Sequence, residues 1–271
     1  MHATPGRAPI LLAALLSLLA LGAAAQTRPA IREPASVPGS AVFIGNSFFY
    51  YNNGITTHVR GILRGMPQPP AWRDTLIGIG GSGFDWHDVE SYFRPNAIAS
   101  YSFDARNDIV FAPPGRKLFD LAILMDCSQC PVHPQLGAVF HDHARRHAET
   151  VRRHGAQPVF FMSWAYKDKP EMTQQLAEAY TKAGNDNAAL VIPAGLAFAR
   201  AMAERPSLEL YTADLRHPSL AGSYLAAATT CATLFARSPE ESGYTAGLDP
   251  ELAAFLRRVA SQAARDYLGR Q

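Results

Sequence analysis

The sequence predicts an α/β fold: a central, mostly parallel five-stranded sheet with helices on both faces. Three observations predict it. Five short apolar runs, AVFIG, TLIGI, FDLAILM, PVFFMSW and NAALVIPAG, are spread over residues 41–195. Stretches with helical character separate and follow them. The first four runs are each followed by a polar or aromatic segment: GNSFF, GGSGFDWH, DCSQCP and SWAY. In an open parallel sheet such segments share the rim beyond the carboxyl ends of the strands, where ligands bind.

Residues 1–25 read as a secretory signal peptide. MHATPGR carries one arginine, an apolar run follows, and AAAQ ends on small residues, with cleavage expected after Ala25. No later stretch is apolar over the roughly 20 residues that a membrane span needs. The chain is therefore expected to be exported, to the periplasm or the medium, with no stable membrane span after cleavage. Residues 26–40, with three prolines, read as an extended lead-in, and residues 41–271 as a single domain.

AVFIG is the first strand, and the chain turns helical from Ile55. TLIGI is the second strand, stopped by GGSG, and Asp88 to Tyr92 begin a helix. Residues 95–117, with PPGRK, read as a long irregular excursion. FDLAILM is the third strand, followed by a helix from Leu136 to His154. PVFFMSW is the fourth. PEMTQQLAEAYTKAG reads as a helix with proline at its start and glycine at its stop. NAALVIPAG is the fifth strand and LAFARAMAE a short helix. Leu220 opens a long helix of small residues suited to close packing, and ELAAFLRRVASQAARDYLG is a last amphipathic helix.

Lys and Arg number 25 against 23 Asp and Glu, a formal net charge of +2 that falls to +1 when Arg7 leaves with the signal. That balance gives no long-range pull toward nucleic acid or anionic lipid, so no nucleic-acid partner is expected. The oligomeric state is open. Three cysteines are too few for a disulfide-built scaffold in a chain of this length.

The candidate chemistry begins at Ser47, in Gly45-Asn46-Ser47 behind the first strand. A serine at neutral pH is a poor nucleophile and needs a base, which in turn needs an orienting group. His217 is the best base. It stands in Asp214-Leu215-Arg216-His217-Pro218, where the carboxylate of Asp214 can bond Nδ1–H and leave Nε2 free. Ser219 is suited to cap the following helix, and Ser47 to cap its own. The nucleophile elbow Gly-x-Ser-x-Gly is absent, which disfavours the common lipase arrangement. Backbone N–H groups at Gly83, with Gly81 behind it, are candidates for holding an oxyanion. Gln129 and Ser128 offer side-chain donors from the third loop.

These residues carry a resemblance. The chain resembles the SGNH/GDSL hydrolase superfamily, at Gly45-Asn46-Ser47 for its first block, Gly80-Gly81-Ser82-Gly83 for its second and Asp214 with His217 for its last. The resemblance spans roughly residues 40–236. It implies a flavodoxin-like three-layer α/β/α sandwich and a serine esterase with Ser47, Asp214 and His217 in catalysis and Gly83 in the oxyanion hole. No metal and no cofactor are implied. The substrate implied is a small-molecule, lipid or glycan ester, such as an O-acetyl or other short acyl ester. The third block departs: where the superfamily has Gly-x-Asn-Asp, this chain has Met125-Asp126-Cys127-Ser128-Gln129-Cys130, and the place of the asparagine is open between Gln129 and Ser128. A ligand- or carbohydrate-binding module that keeps the fold without turnover is the alternative reading.

Other features compete for attention. Cys127 and Cys130 form a Cys-x-x-Cys, open between a disulfide, free thiols and a thiol-exchange pair. His141, His143 and His147 lie in a charged stretch that reads as a solvated helix face, with too few imidazoles at metal spacing. Trp86 and His87 border the second-loop rim. Trp164 and Tyr166 either wall a binding cleft or pack the sheet edge. Phe48, Phe49, Tyr50 and Tyr51 suggest an apolar acyl or aryl pocket, or core.

Overall fold

The computed structural model of the 271-residue chain describes residues 1–2, 27–98, 101–113, 115–235 and 237–270. Nearly all of the expected signal peptide, and its cleavage site, lie outside the described residues.

Five strands, β1 (Ser40–Gly45), β2 (Arg73–Gly78), β5 (Leu121–Leu124), β6 (Gln157–Phe161) and β7 (Leu190–Ile192), form one parallel sheet in the order β2-β1-β5-β6-β7. This is a flavodoxin-like three-layer α/β/α arrangement. Strand side chains alternate between two cores, as a period of two requires. Phe43, Ile123, Phe161 and Ile192 face one, and Val42, Leu124, Phe160 and Val191 the other. The first core is closed by α2 (Ile55–Arg64), α6 (Ala194–Glu204), α7 (Leu220–Leu234) and α8 (Pro250–Leu268). The second is closed by α4 (Gly137–Arg153) and α5 (Met172–Asp186), with α3 (Val89–Tyr92) contributing Val89.

The small residues of α7 let it lie almost wholly buried. A Cβ at Gly222 would stand 2.3 Å from the Leu210 carbonyl oxygen, so the helix approaches its neighbour backbone to backbone. Thr229, Thr230 and Thr233 satisfy their buried hydroxyls on carbonyls four residues back, at 2.8, 2.9 and 2.8 Å. The last helix is capped by Asp249, starts on Pro250 and ends at Gly269 in the left-handed region.

Two local readings are corrected. Gly184 does not stop α5, which continues to Asp186; a Cβ there would lie 2.6 Å from Val191 Cγ2, so the glycine admits β7 instead. Residues 95–117 are not wholly irregular. They contain a two-stranded antiparallel hairpin, β3 (Tyr101–Phe103) and β4 (Ile109–Phe111), paired Tyr101 to Phe111 and Phe103 to Ile109.

Strand order reverses between β1 and β5, the place in such sheets where ligands bind. The segments after those two strands carry Ser47 and the Asp126–Cys130 loop.

Candidate active site

Ser47 opens a single helical turn, α1 (Ser47–Tyr50), directly after β1. The cap of that turn is Asn46 rather than Ser47: its Oδ1 accepts the Phe48 N–H at 3.2 Å. The serine hydroxyl is thereby left for another partner. The same Asn46 amide donates to the carbonyls of Ser82 and Asp126, each at 3.0 Å, so one buried side chain ties together the loops behind β1, β2 and β5.

Ser47 Oγ lies 2.8 Å from His217 Nε2, and His217 Nδ1 lies 2.5 Å from Asp214 Oδ2. The other Asp214 oxygen accepts the backbone N–H groups of Arg216 and His217, each at 2.9 Å, and the Thr212 hydroxyl at 2.8 Å. Burial pushes this carboxyl up, but the His217 hydrogen bond, the two backbone donors and Thr212 outweigh it and hold it well below the usual carboxylate range. Ionised, Asp214 can only accept. Nδ1 therefore carries the proton, and the Nε2 lone pair faces the serine.

The imidazole is fixed by rings as well. Tyr51 stacks on it with centroids 4.2 Å apart, and Phe48 meets it edge-on at 5.4 Å. The His217 loop is anchored to the segment after Ser47 by Asn52, whose amide donates to the Pro218 carbonyl at 2.9 Å and Ser223 Oγ at 2.8 Å. Leu215 takes a left-handed φ of 62°, turning the loop so that Asp214 and His217 face each other. Ser219 caps α7, accepting the Gly222 N–H at 3.2 Å.

No family model and no curated protein matches the chain. Solved structures do. A candidate SGNH hydrolase from Slackia heliotrinireducens aligns at 21% identity and TM-score 0.55, over 72% of this chain and 97% of that one. A DUF4886 family protein from Bacteroides uniformis aligns at 19% and 0.56, over 83% and 93%. Axe2, an acetylxylan esterase from Geobacillus stearothermophilus, aligns at 13% and 0.51, over 78% and 100%. The chain shares the three-layer α/β/α fold of these proteins. At these identities the likeness is one of architecture.

Around the relay, the second loop brings Gly81 and Gly83. Gly81 takes a φ of 75°, the left-handed turn that ends the excursion from β2. Gly83 lies close against two carboxylates: a Cβ there would stand 2.7 Å from Asp85 Oδ1 and 3.0 Å from Asp126 Oδ1. The N–H groups of Ser47 and Gly83 make no hydrogen bond among the described residues, so both remain available to an incoming oxygen. Asp126 is buried and accepts the N–H groups of Phe84 at 2.7 Å and Cys127 at 2.8 Å. Its burial pushes the carboxyl up to about 6 against those donors. Sequence reasoning passed over Asp126; its position one residue beyond a buried Leu-Met strand end was the available signal.

The third loop is closed by a Cys127–Cys130 disulfide. Gln129 is exposed at the head of a short 3-10 turn, Cys130–Val132. Ser128 Oγ is engaged 2.6 Å from the Tyr166 hydroxyl, and Arg216 stacks over that tyrosine ring at 4.0 Å.

Several expected rim residues are not on the rim. Trp164 is only 1% exposed; it stacks between Phe48 and Phe198, with its Nε1 donating to the Arg216 carbonyl at 3.0 Å. It supports the His217 loop from beneath because its large apolar face is better buried than wetted. Phe48 and Phe49 are core, and only Tyr50 of the four consecutive aromatics is exposed. His87 is buried on Ser82 Oγ at 2.9 Å and the Tyr92 hydroxyl at 3.1 Å, while Trp86 remains exposed. His147 is likewise buried rather than on a solvated face. Its Nε2 donates to the Phe84 carbonyl at 2.9 Å, and burial lowers its pKa to about 4. Among the described residues, no group of three or more His, Cys, Asp or Glu is placed to hold a metal ion. No helix among them is long and apolar enough to cross a membrane.

Proposed function

We propose that the protein is an exported serine esterase that hydrolyses a carboxylic ester through an acyl-enzyme intermediate. The observation that carries the reading is the unbroken relay from Ser47 through His217 to Asp214, at 2.8 and 2.5 Å, assembled from segments about 170 residues apart. Ser47 Oγ attacks the ester carbonyl while Nε2 of His217 takes its proton. Asp214 keeps the imidazole in the required tautomer and stabilises the imidazolium. The N–H groups of Ser47 and Gly83 hold the oxyanion, with Gln129 able to approach from the third loop. His217 returns the proton to the leaving alcohol, then activates the water that releases the acid.

The fold shared with Axe2, an acetylxylan esterase, supports a short acyl ester of a carbohydrate as the first substrate class to test. The leader at residues 1–25 supports export.

The decisive experiment is labelling by a fluorophosphonate together with a panel of acetyl, long-acyl and carbohydrate esters. Labelling at Ser47 and turnover of at least one short-acyl ester are expected, both lost in Ser47→Ala. Folded wild-type protein that neither reacts with the probe nor turns over any ester would instead establish a binding module without turnover.

A further inference from the structure

The β3–β4 hairpin carries an apolar face that no part of the catalytic relay uses. Cross-strand partners share a face, so Tyr101, Phe103, Ile109 and Phe111 lie together, with Ser102 and Val110 on the other side. The four are 53%, 59%, 57% and 52% exposed. Side chains of this size each bury about 150–250 Å² when covered, so this ribbon leaves roughly 400 Å² of apolar surface in water. The largest apolar patch on a typical monomer is of about this size and is often functional. A lone two-stranded hairpin is also marginal in water without something packed on it.

The charges around the ribbon are arranged by end. The turn holds Asp104, Arg106 and Asp108, two acids to one base. Arg106 lies 3.6 and 3.4 Å from the two carboxylates, leaving the tip net negative. At the root is a groove of about 530 Å³ whose lining includes Arg94, Arg116, Lys117 and Arg153. Arg94, Lys117 and Arg153 have local acidic partners, whereas the Arg116 guanidinium has none among the described residues.

We propose that this hairpin is a homodimerisation element, packing face to face and antiparallel on the hairpin of a second copy of the chain. A two-fold axis then sets the acidic tip of each copy over the basic root of the other, and one molecule supplies both halves of the complementarity. The two apolar faces bury about 800 Å² together, and the tip-to-root contacts bring the total to about 1,000 Å², the lower end of specific interfaces. A bilayer fits less well, because Asp104 and Asp108 would lead the approach to anionic headgroups. The root groove includes Lys117 and Leu118 before β5 and Arg153 to Gly155 before β6. It is therefore at the amino-terminal rim of the sheet, opposite Ser47. The dimer leaves both relays open, and the proposal stands independently of the esterase reading.

Sedimentation velocity of the purified protein from about 1 to about 100 µM is the test, a range suited to an interface of this size. A concentration-dependent shift from monomer to dimer is expected. Phe103→Glu should weaken it at least tenfold, and Ser102→Lys, on the opposite face, should leave it. Arg116→Glu should weaken it too, and adding Asp108→Lys should restore it. Phe111→Ser replaces Phe103→Glu if the latter fails to fold. A wild-type protein that stays monomeric throughout the range overturns the proposal, as does a dimer that the folded face variants leave intact. So does a monomer that pellets with phosphatidylglycerol vesicles through this same face.

Discussion

Asn46→Asp separates the two tasks of the residue beside Ser47. The native Oδ1 caps the Phe48 N–H, and the native Nδ2 donates to the Ser82 and Asp126 carbonyls, each at 3.0 Å. Aspartate keeps the cap but turns an oxygen toward two buried carbonyls. Each lost hydrogen bond costs about 1 kcal/mol net, and each acceptor left unsatisfied in the interior up to about 3. The expected loss is about 3–5 kcal/mol at neutral pH, a large share of a typical domain's stability. Asn46→Ala should lose a similar amount, plus about 1 kcal/mol for the missing cap. Because the amide also sets Ser47 against the Gly83 loop, a shift of about 1 Å there should slow fluorophosphonate labelling about 100-fold. Urea unfolding at low temperature reads the first effect and labelling of folded protein the second. An Asn46→Asp variant within about 1 kcal/mol of wild type that labels at the wild-type rate would refute the idea that this amide joins the three loops.

Three further outcomes are expected. Asp214→Asn should leave the fold intact but lower ester turnover about 10⁴-fold, because an amide no longer enforces the Nδ1–H tautomer of His217; steady-state kinetics check this. Reduction of Cys127–Cys130, or the double serine variant, should lower turnover several-fold, since Cys130 Sγ sits where a Cβ on Gly83 would meet it at 3.7 Å. Unchanged turnover after confirmed reduction would dissociate the disulfide from the Gly83 loop. His147 is neutral in the folded protein with a pKa lowered to about 4, so the unfolded chain takes up the proton first as pH falls. Its stabilisation is full above about 6.5 and is lost on descending to about 4, by up to roughly 3 kcal/mol. The stability difference between wild type and His147→Gln should narrow by that order over this range in urea titrations. Asp126 acts oppositely, its burial cost being relieved as pH falls through about 6, but it is present in both proteins and cancels.

The strands were legible because each is a short apolar run between turn residues, and the parallel class followed from their alternation with helices. Gly-Asn-Ser and Asp-x-x-His were legible because the residue types needed for a nucleophile and its base stand at the ends of recognisable elements. The β3–β4 hairpin was not, since YSF and IVF are three residues each and offer no period to read. Gly184 misled because a glycine near a helix end signals a stop, and only the packed position of Val191 shows that it serves a close approach.

Composition and local pattern thus determined the strands of the main sheet, most of the helices and which groups are chemically capable. Tertiary structure decided which of those groups meet. It set Ser47 within 2.8 Å of His217, stacked Tyr51 on the imidazole, drew Trp164 and His147 inward and left Trp86 outside. The division has a physical reason. Backbone preference and apolar periodicity act over a few residues and are written in the chain. Burial, ring stacking and the distance between side chains 170 positions apart depend on how whole layers pack, and no local stretch encodes them.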